Sequence, residues 1–201
     1  MHPDRRFHWS DPAEIRAFVA DQSFGTLVLA TAEGPLVAQV PVVVLDDDRL
    51  GFHLARNNAL VPHLDGARAL FVVQGPHGYV SPDWYGLDDQ VPTWNYLTAQ
   101  LEGPVRATDA AGLMTIIDTL SAAHEQRLAP KPVWTRDKMT PGVAERMARG
   151  IIGYELMVEA WRGTRKLGQN KADAVRLRAA EGLDAAGNAE LAELMRLARQ
   201  G

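Results

Sequence analysis

The spacing of apolar and polar positions changes several times along this 201-residue chain. Ile15, Phe18 and Val19 fall on one helical stripe behind Asp11-Pro12-Ala13-Glu14. That pattern predicts a helix with Asp11 as N-cap, Pro12 at the first position and Glu14 completing a capping box, Ser10 being the rival cap. The period then shortens. Residues 24–31, 36–45, 50–55 and 68–74 are runs rich in Val and Leu, closed by Ala-Glu-Gly-Pro (32–35), three aspartates (46–48) and Gly75-Pro76. Such runs between turn residues predict antiparallel strands. Residues 94–107 and 151–161 bring the total to at least six. Between those two the helical period returns, with Leu113, Ile116, Ile117 and Leu120 behind Asp109 as cap, and Thr140-Pro141 opens a shorter helix with Val143 and Met147. Leu191, Leu194, Met195 and Ala198 form a last amphipathic stripe.

Strands in series with few helices predict a mainly β, α+β fold: an antiparallel barrel or sandwich with helices packed on it. The order is not the strict β–α alternation of a doubly wound sheet. One domain is expected over 1–201, with a helical insert at about 108–150 and a C-terminal helical segment at about 171–200.

Composition narrows the functional classes. There is no cysteine, which excludes disulfides, thiolate metal sites and cysteine nucleophiles, and is compatible with a cytoplasmic location. No apolar run is long enough for a membrane helix. The net charge of −4 argues against tight direct DNA binding driven by phosphate neutralisation. The segment holding Arg162, Arg165, Lys166, Lys171, Arg176 and Arg178 is the concentrated basic stretch. No G-x-G-x-x-G follows the first strand, and no P-loop, H-E-x-x-H or G-x-S-x-G occurs. The histidines at 53, 63, 77 and 124 are dispersed without metal-ligand spacing, so no metal site is expected. His124-Glu125 reads as a helix end.

Four stretches hold candidate chemistry. His53-Leu54-Ala55-Arg56-Asn57-Asn58 puts a guanidinium and two amides at a strand end, a set that suits a phosphate or a solvated turn. Lys166-Leu167-Gly168-Gln169-Asn170-Lys171 groups cations and amides around a glycine, with Lys171 read as solvated. Ser81-Pro82-Asp83-Trp84-Tyr85 and Val91-Pro92-Thr93-Trp94-Asn95-Tyr96 hold four aromatic residues among prolines and polar groups. The second pair of runs fits either a core corner or a surface for a flat ligand.

Taken in order, Gly51-Phe52-His53-Leu54-Ala55-Arg56, Gly75 to Tyr85, Val91 to Tyr96, His124-Glu125, Ile152-Gly153-Tyr154-Glu155 and Lys166 to Asn170 resemble the PaiB-like FMN-binding split-barrel family, a group named as negative transcriptional regulators. The resemblance implies a six-stranded antiparallel split β-barrel with peripheral helices, a homodimer, and FMN near the subunit interface. It implies Arg56 with Asn57 or Asn58 at the phosphate, and Trp94, Asn95, Lys166, Gln169 and Asn170 about the flavin ring. A flavin-dependent reductase or flavin-linked regulator follows. The competing readings are a transcriptional regulator acting without flavin, and a haem-binding barrel using His53 or His124.

Overall fold

A computed structural model describes residues 2–198. Eight strands and six α-helices follow one another as β1 (His8–Trp9), α1 (Pro12–Gln22), β2 (Phe24–Thr31), β3 (Gly34–Asp46), β4 (Arg49–Ala55), α2 (Val61–Leu64), β5 (Arg68–Val80), β6 (Thr93–Ala107), α3 (Ala110–Gln126), α4 (Val143–Ala148), β7 (Ile151–Met157), β8 (Ala160–Lys166), α5 (Asp173–Ala185) and α6 (Ala189–Leu197). The strand order is β1-β8-β6-β5-β2-β3-β4-β7, and β6 also pairs with β7, so β2 to β7 close into a ring of six. This is the six-stranded antiparallel architecture expected from the sequence. No helix is long and apolar enough to cross a membrane.

Two interleaved units make up the chain. One comprises Met1–Ile15, Gln74–Ala99 and Arg162–Gly201; the other comprises Arg16–Val73 and Gln100–Trp161.

The second unit contains the β2–β3–β4–β7 ladder. Phe24↔Pro41 through Thr31↔Gly34 set the register of its first hairpin, and seven pairs from Arg49↔Met157 to Ala55↔Ile151 join β4 to β7. Alternate residues of these strands point inward, as the two-residue period requires. Phe52 lies between Phe71 and Tyr154, with centroids 6.4 and 5.6 Å away. Leu27, Leu50, Leu156 and Ile116 are fully buried in the same unit. Helix α3 reaches the sheet through Gly51, where an added Cβ would sit 2.7 Å from Ile116 Cγ1. Asp109 caps α3 as expected, accepting the Gly112 N–H at 2.8 Å.

The first unit holds β1, the end of β5, the start of β6, β8 and the α5–α6 pair. Gly187, at φ 87°, separates the two helices, so the predicted C-terminal segment is two helices; its end beyond 198 lies outside the described residues. The Asn188 N–H returns to Leu183 O at 2.9 Å, a glycine-ended helix stop. Arg176 is buried between these helices, with Nε donating to Met195 O at 2.9 Å and Nη1 to Asp173 at 2.6 Å. The Pro82–Tyr85 turn packs on α5, where an added Cβ at Gly182 would sit 2.4 Å from Trp84 Cδ2. Trp84 of Ser-Pro-Asp-Trp-Tyr therefore packs as a core corner against α5.

Three local expectations change. Asp11 Oδ1 does cap α1, accepting from Ala13 and Glu14 N–H at 2.8 and 3.3 Å. The Glu14 carboxylate, however, accepts from Trp9 Nε1 at 2.7 Å and Arg165 Nη2 at 2.6 Å, because these donors outcompete the cap's own N–H. Strand β5 runs through Gly75-Pro76 to Val80. The predicted strand 151–161 is two strands, since the Val158 and Glu159 N–H groups leave the ladder for Asp48 O and Glu102 O at 2.7 and 2.9 Å.

Candidate functional site

A cavity of about 240 Å³ in the first unit is lined by His2, Phe7, Tyr85, Val91, Thr93, Asn95, Lys166, Gly168, Asn170 and Lys171. The lining residues bring two ammonium groups, two hydroxyls, two amides and three rings, and no Asp or Glu is among them. The Lys166 Nζ donates to Thr93 Oγ1 at 2.6 Å and lies 5.8 Å from the centre of the Phe7 ring. It makes no ion pair among the described residues. Burial pushes its pKa below the ordinary lysine value. A half-buried cation without a carboxylate favours an anionic or electron-rich ligand.

The loop after β8 places these groups. Gly168 takes φ 84°, and a Cβ there would lie 3.3 Å from Arg176 Cγ. Gln169 fastens the turn, its Oε1 accepting from Leu167 N at 2.7 Å and its Nε2 donating to Arg165 O at 2.6 Å. Gln169 therefore serves the loop and not the cavity. Lys171, read from sequence as solvated, lies over the Tyr85 ring at 4.7 Å and donates to Gln90 Oε1.

Val-Pro-Thr-Trp-Asn-Tyr divides between two faces. Thr93 and Asn95 point into the cavity, and Asn95 is buried with Nδ2 donating to Met195 Sδ at 3.2 Å. Trp94 points the other way. It is 48% exposed and meets His77 (6.0 Å, 25° between planes) and Tyr79 (6.3 Å, 67°). Among the sequence-predicted ring contacts, Asn95, Lys166 and Asn170 come together, while Trp94 and Gln169 do not join them. Tyr85, Thr93 and Lys171 of the candidate stretches also line the cavity, as do His2 and Phe7, which no candidate stretch contained. Thr93 was recoverable from the period of two along β6.

In the second unit, Arg56 is exposed and bonded to main chain: Nε donates to Arg149 O at 3.0 Å and Nη2 to Ile151 O at 3.4 Å. It lines a separate cavity of about 280 Å³ with Arg149, Leu113, Met114, Ile152 and the carboxylates of Asp109 and Glu145. Arg149 is the second cation that sequence reasoning did not find there. Asn58 Oδ1 accepts from Leu60 N at 3.0 Å, and Asn57 is exposed. Asp109 and Glu145 line the cavity of Arg56, whereas no acid lines that of Lys166. His53 Nδ1 is buried without a hydrogen-bond partner, and burial lowers its pKa. His124 sits in the last turn of α3, as expected for a helix end. No group of three or more potential ligands arranged for a metal ion is found among the described residues.

The sequence matches a family model described as "Putative FMN-binding domain" over residues 1–160. The "Protease synthase and sporulation protein PAI 2" of Bacillus subtilis (strain 168) is 28% identical over 175 residues, which cover 85% of this chain and 83% of that protein. Among solved structures, the FAD and heme binding protein from Mycobacterium smegmatis aligns with a TM-score of 0.55 at 15% identity, over 79% of this chain and 73% of that one. The flavocytochrome Anf3 from Azotobacter vinelandii aligns with a TM-score of 0.56 at 15% identity, over 82% and 72%. At such identities the two structures speak to the fold.

Proposed function

Because the chain belongs to the FMN-binding domain family, matched over residues 1–160, we propose that it is a flavin-binding protein whose Lys166 cavity receives the polar edge of the FMN ring system. The uncompensated, half-buried charge of Lys166 carries this reading. That edge of a flavin presents carbonyl oxygens and ring nitrogens, with one N–H between them. Lys166 and the Asn170 amide supply donors, and Thr93 and the Asn170 carbonyl supply acceptors. The ring walls of Phe7 and Tyr85 suit its apolar body. At about 240 Å³ the cavity is smaller than the roughly 300–1,000 Å³ of whole-ligand sites, so it fits one end of the cofactor.

When bound, the flavin supplies electron and hydride transfer. The chain's part is to orient the ring, keep water from it, and hold the Lys166 proton where negative charge gathers on reduction. A flavin reductase or a flavin-linked regulator both need this much and no dedicated catalytic base. Direct DNA binding is not favoured. Within the basic stretch, Arg165 is engaged by Glu14, Arg176 by Asp173 and Met195 O, and Arg178 by Tyr85 O. Purified protein titrated with FMN tests the reading: a saturable change in flavin fluorescence supports it, and unchanged fluorescence through micromolar FMN removes it.

We further propose that the chain forms a homodimer through the opposite face of β6. His77, Tyr79 and Trp94 form an aromatic cluster there, with Tyr96 next on the same side of the strand. An exposed aromatic cluster suits the centre of a two-fold interface, where two copies of the same patch meet. Trp94 lies between Thr93 and Asn95 in sequence, so one short stretch of β6 serves both the interface and the cavity. Trp94→Asp is expected to cost about 2 kcal/mol or more of association, as loss of a central aromatic anchor does, and to shift the protein to monomer in light scattering at micromolar concentration. An unchanged mass for the variant would place any dimer contact elsewhere.

A further inference from the structure

Residues 2–9 form a strap on one wall of the Lys166 cavity, with His2 and Phe7 in its lining. The strap is fastened at several points. Strand β1 pairs with β8 through His8↔Thr164 and Trp9↔Gly163. His8 Nε2 donates to His2 O at 2.6 Å, and the His2 N–H approaches Thr164 Oγ1 at 3.4 Å. Phe7 is buried, and the His2 ring meets it edge-on at 4.7 Å.

The His2 ring is also oriented chemically. Its Nδ1 accepts the Asp4 N–H at 3.0 Å. A nitrogen that accepts carries no proton, so the neutral ring bears its proton on Nε2. Among the described residues that Nε2–H has no hydrogen-bond partner. An oriented donor on the wall of a cavity that already holds Lys166 is a group available to a ligand.

We propose that His2 contacts the ligand of this cavity, its Nε2–H donating to an oxygen or nitrogen acceptor on the polar edge of the bound ring, with the Asp4 N–H fixing the tautomer that makes this possible. The inference rests on the flavin reading of the same cavity. It makes the strap a specificity element: ligands with an acceptor at this point are retained, and ligands presenting a donor there are disfavoured, since two N–H groups would face each other.

The experiment uses the full chain without an N-terminal tag, as wild type, His2→Phe and His2→Gln. Each is titrated with FMN by fluorescence and melted by circular dichroism. His2→Phe keeps a ring against Phe7 and removes the donor; His2→Gln keeps an amide donor near the Nε2 position. The expected result is a Kd raised about tenfold in His2→Phe and within about threefold of wild type in His2→Gln, with unchanged melting of the ligand-free protein. The absorbance maxima of bound flavin should also shift in His2→Phe at saturation, which a purely structural role would not produce. Equal FMN affinity in wild type and His2→Phe overturns the inference and leaves the flavin reading standing. Equal weakening in both variants overturns the donor role. Failure of the wild type to bind FMN removes the flavin reading and this inference with it.

Discussion

Lys166→Met is expected to weaken FMN binding by about 10- to 100-fold while raising the stability of the ligand-free protein. The two effects have one cause. The ammonium is drawn partly out of water, donates to Thr93 Oγ1, and finds no carboxylate in its cavity. Without ligand, burial of that charge is a net cost, seen in the lowered pKa. With ligand, the same charge is expected to make a charge-assisted hydrogen bond worth about 1.5–3 kcal/mol. Methionine keeps an unbranched apolar side chain and removes the charge. The ligand-free variant should gain up to about 1 kcal/mol, or roughly 2–4 °C in Tm for a chain of this size. Removal of a cation from beside the reduced ring should also lower the flavin reduction potential, by about 30 mV for each 1.4 kcal/mol lost in a two-electron couple. The pH dependence follows from the same shift. Folded Lys166 gives up its proton at lower pH than unfolded Lys166, so its burial cost is fully present below the folded pKa and is relieved as pH rises through it. Wild-type protein should therefore show an alkaline gain in stability, over and above other titrations, that Lys166→Met lacks. A variant with wild-type FMN affinity would show that Lys166 does not face the ligand.

The largest effect on stability is expected at Gly103. In β6 an added Cβ would lie 1.7 Å from Met157 O and 2.8 Å from Met157 C, with Glu159 N at 3.3 Å. These are backbone atoms, and β6 and β7 are paired at Val105↔Leu156, close by. The Glu159 N–H also bonds Glu102 O at 2.9 Å, which fixes the turn out of β7. Relief of the contact would have to separate the strands. Gly103→Ala should cost more than about 3 kcal/mol and lower Tm by on the order of 10 °C. Gly142→Ala separates this clash from backbone strain: Gly142 has φ 80° and nothing within 4 Å of a built Cβ. It should cost about 1 kcal/mol, the ordinary penalty for a side chain in the left-handed region. Similar losses at the two positions in thermal melts would contradict the close approach at Gly103.

The strands at 24–31, 36–45 and 50–55 were legible because apolar runs and turn residues agree there, and β2, β3 and β4 fall on them. Asp109 and α3 were legible for the same reason. Gly75-Pro76 misled, since proline removes a ladder donor and usually ends a strand, yet burial alternates again at Gly78 and Val80 and β5 continues. The break at Val158-Glu159 had no local signal, because the partners of those N–H groups are Asp48 O and Glu102 O, far away in sequence. Ala-Ala-Gly-Asn at 185–188 did carry the signal for two C-terminal helices.

The candidate site was legible in part. Lys166, Asn95 and Asn170 were found by residue type and meet in one cavity. Trp94 was grouped with Asn95 by adjacency, but neighbouring strand residues face opposite ways, and Trp94 belongs with His77 and Tyr79. His2 and Phe7 could not be placed from sequence, since their approach to Lys166 depends on the pairing of β1 with β8 across more than 150 residues of chain. The two aromatic runs thus have different roles. Trp84 and Tyr85 pack against α5 and the cavity, while Trp94 and Tyr96 are set on the outer face of β6.

An uncompensated charge is proposed to hold FMN in the Lys166 cavity. Paired fluorescence titrations of wild-type and Lys166→Met protein with FMN, at one pH and salt concentration, test it most directly. Saturable binding to the wild type and at least about tenfold weaker binding to the variant are expected, with the variant no less stable to heat before ligand is added. Saturable binding of equal strength to both proteins would contradict it.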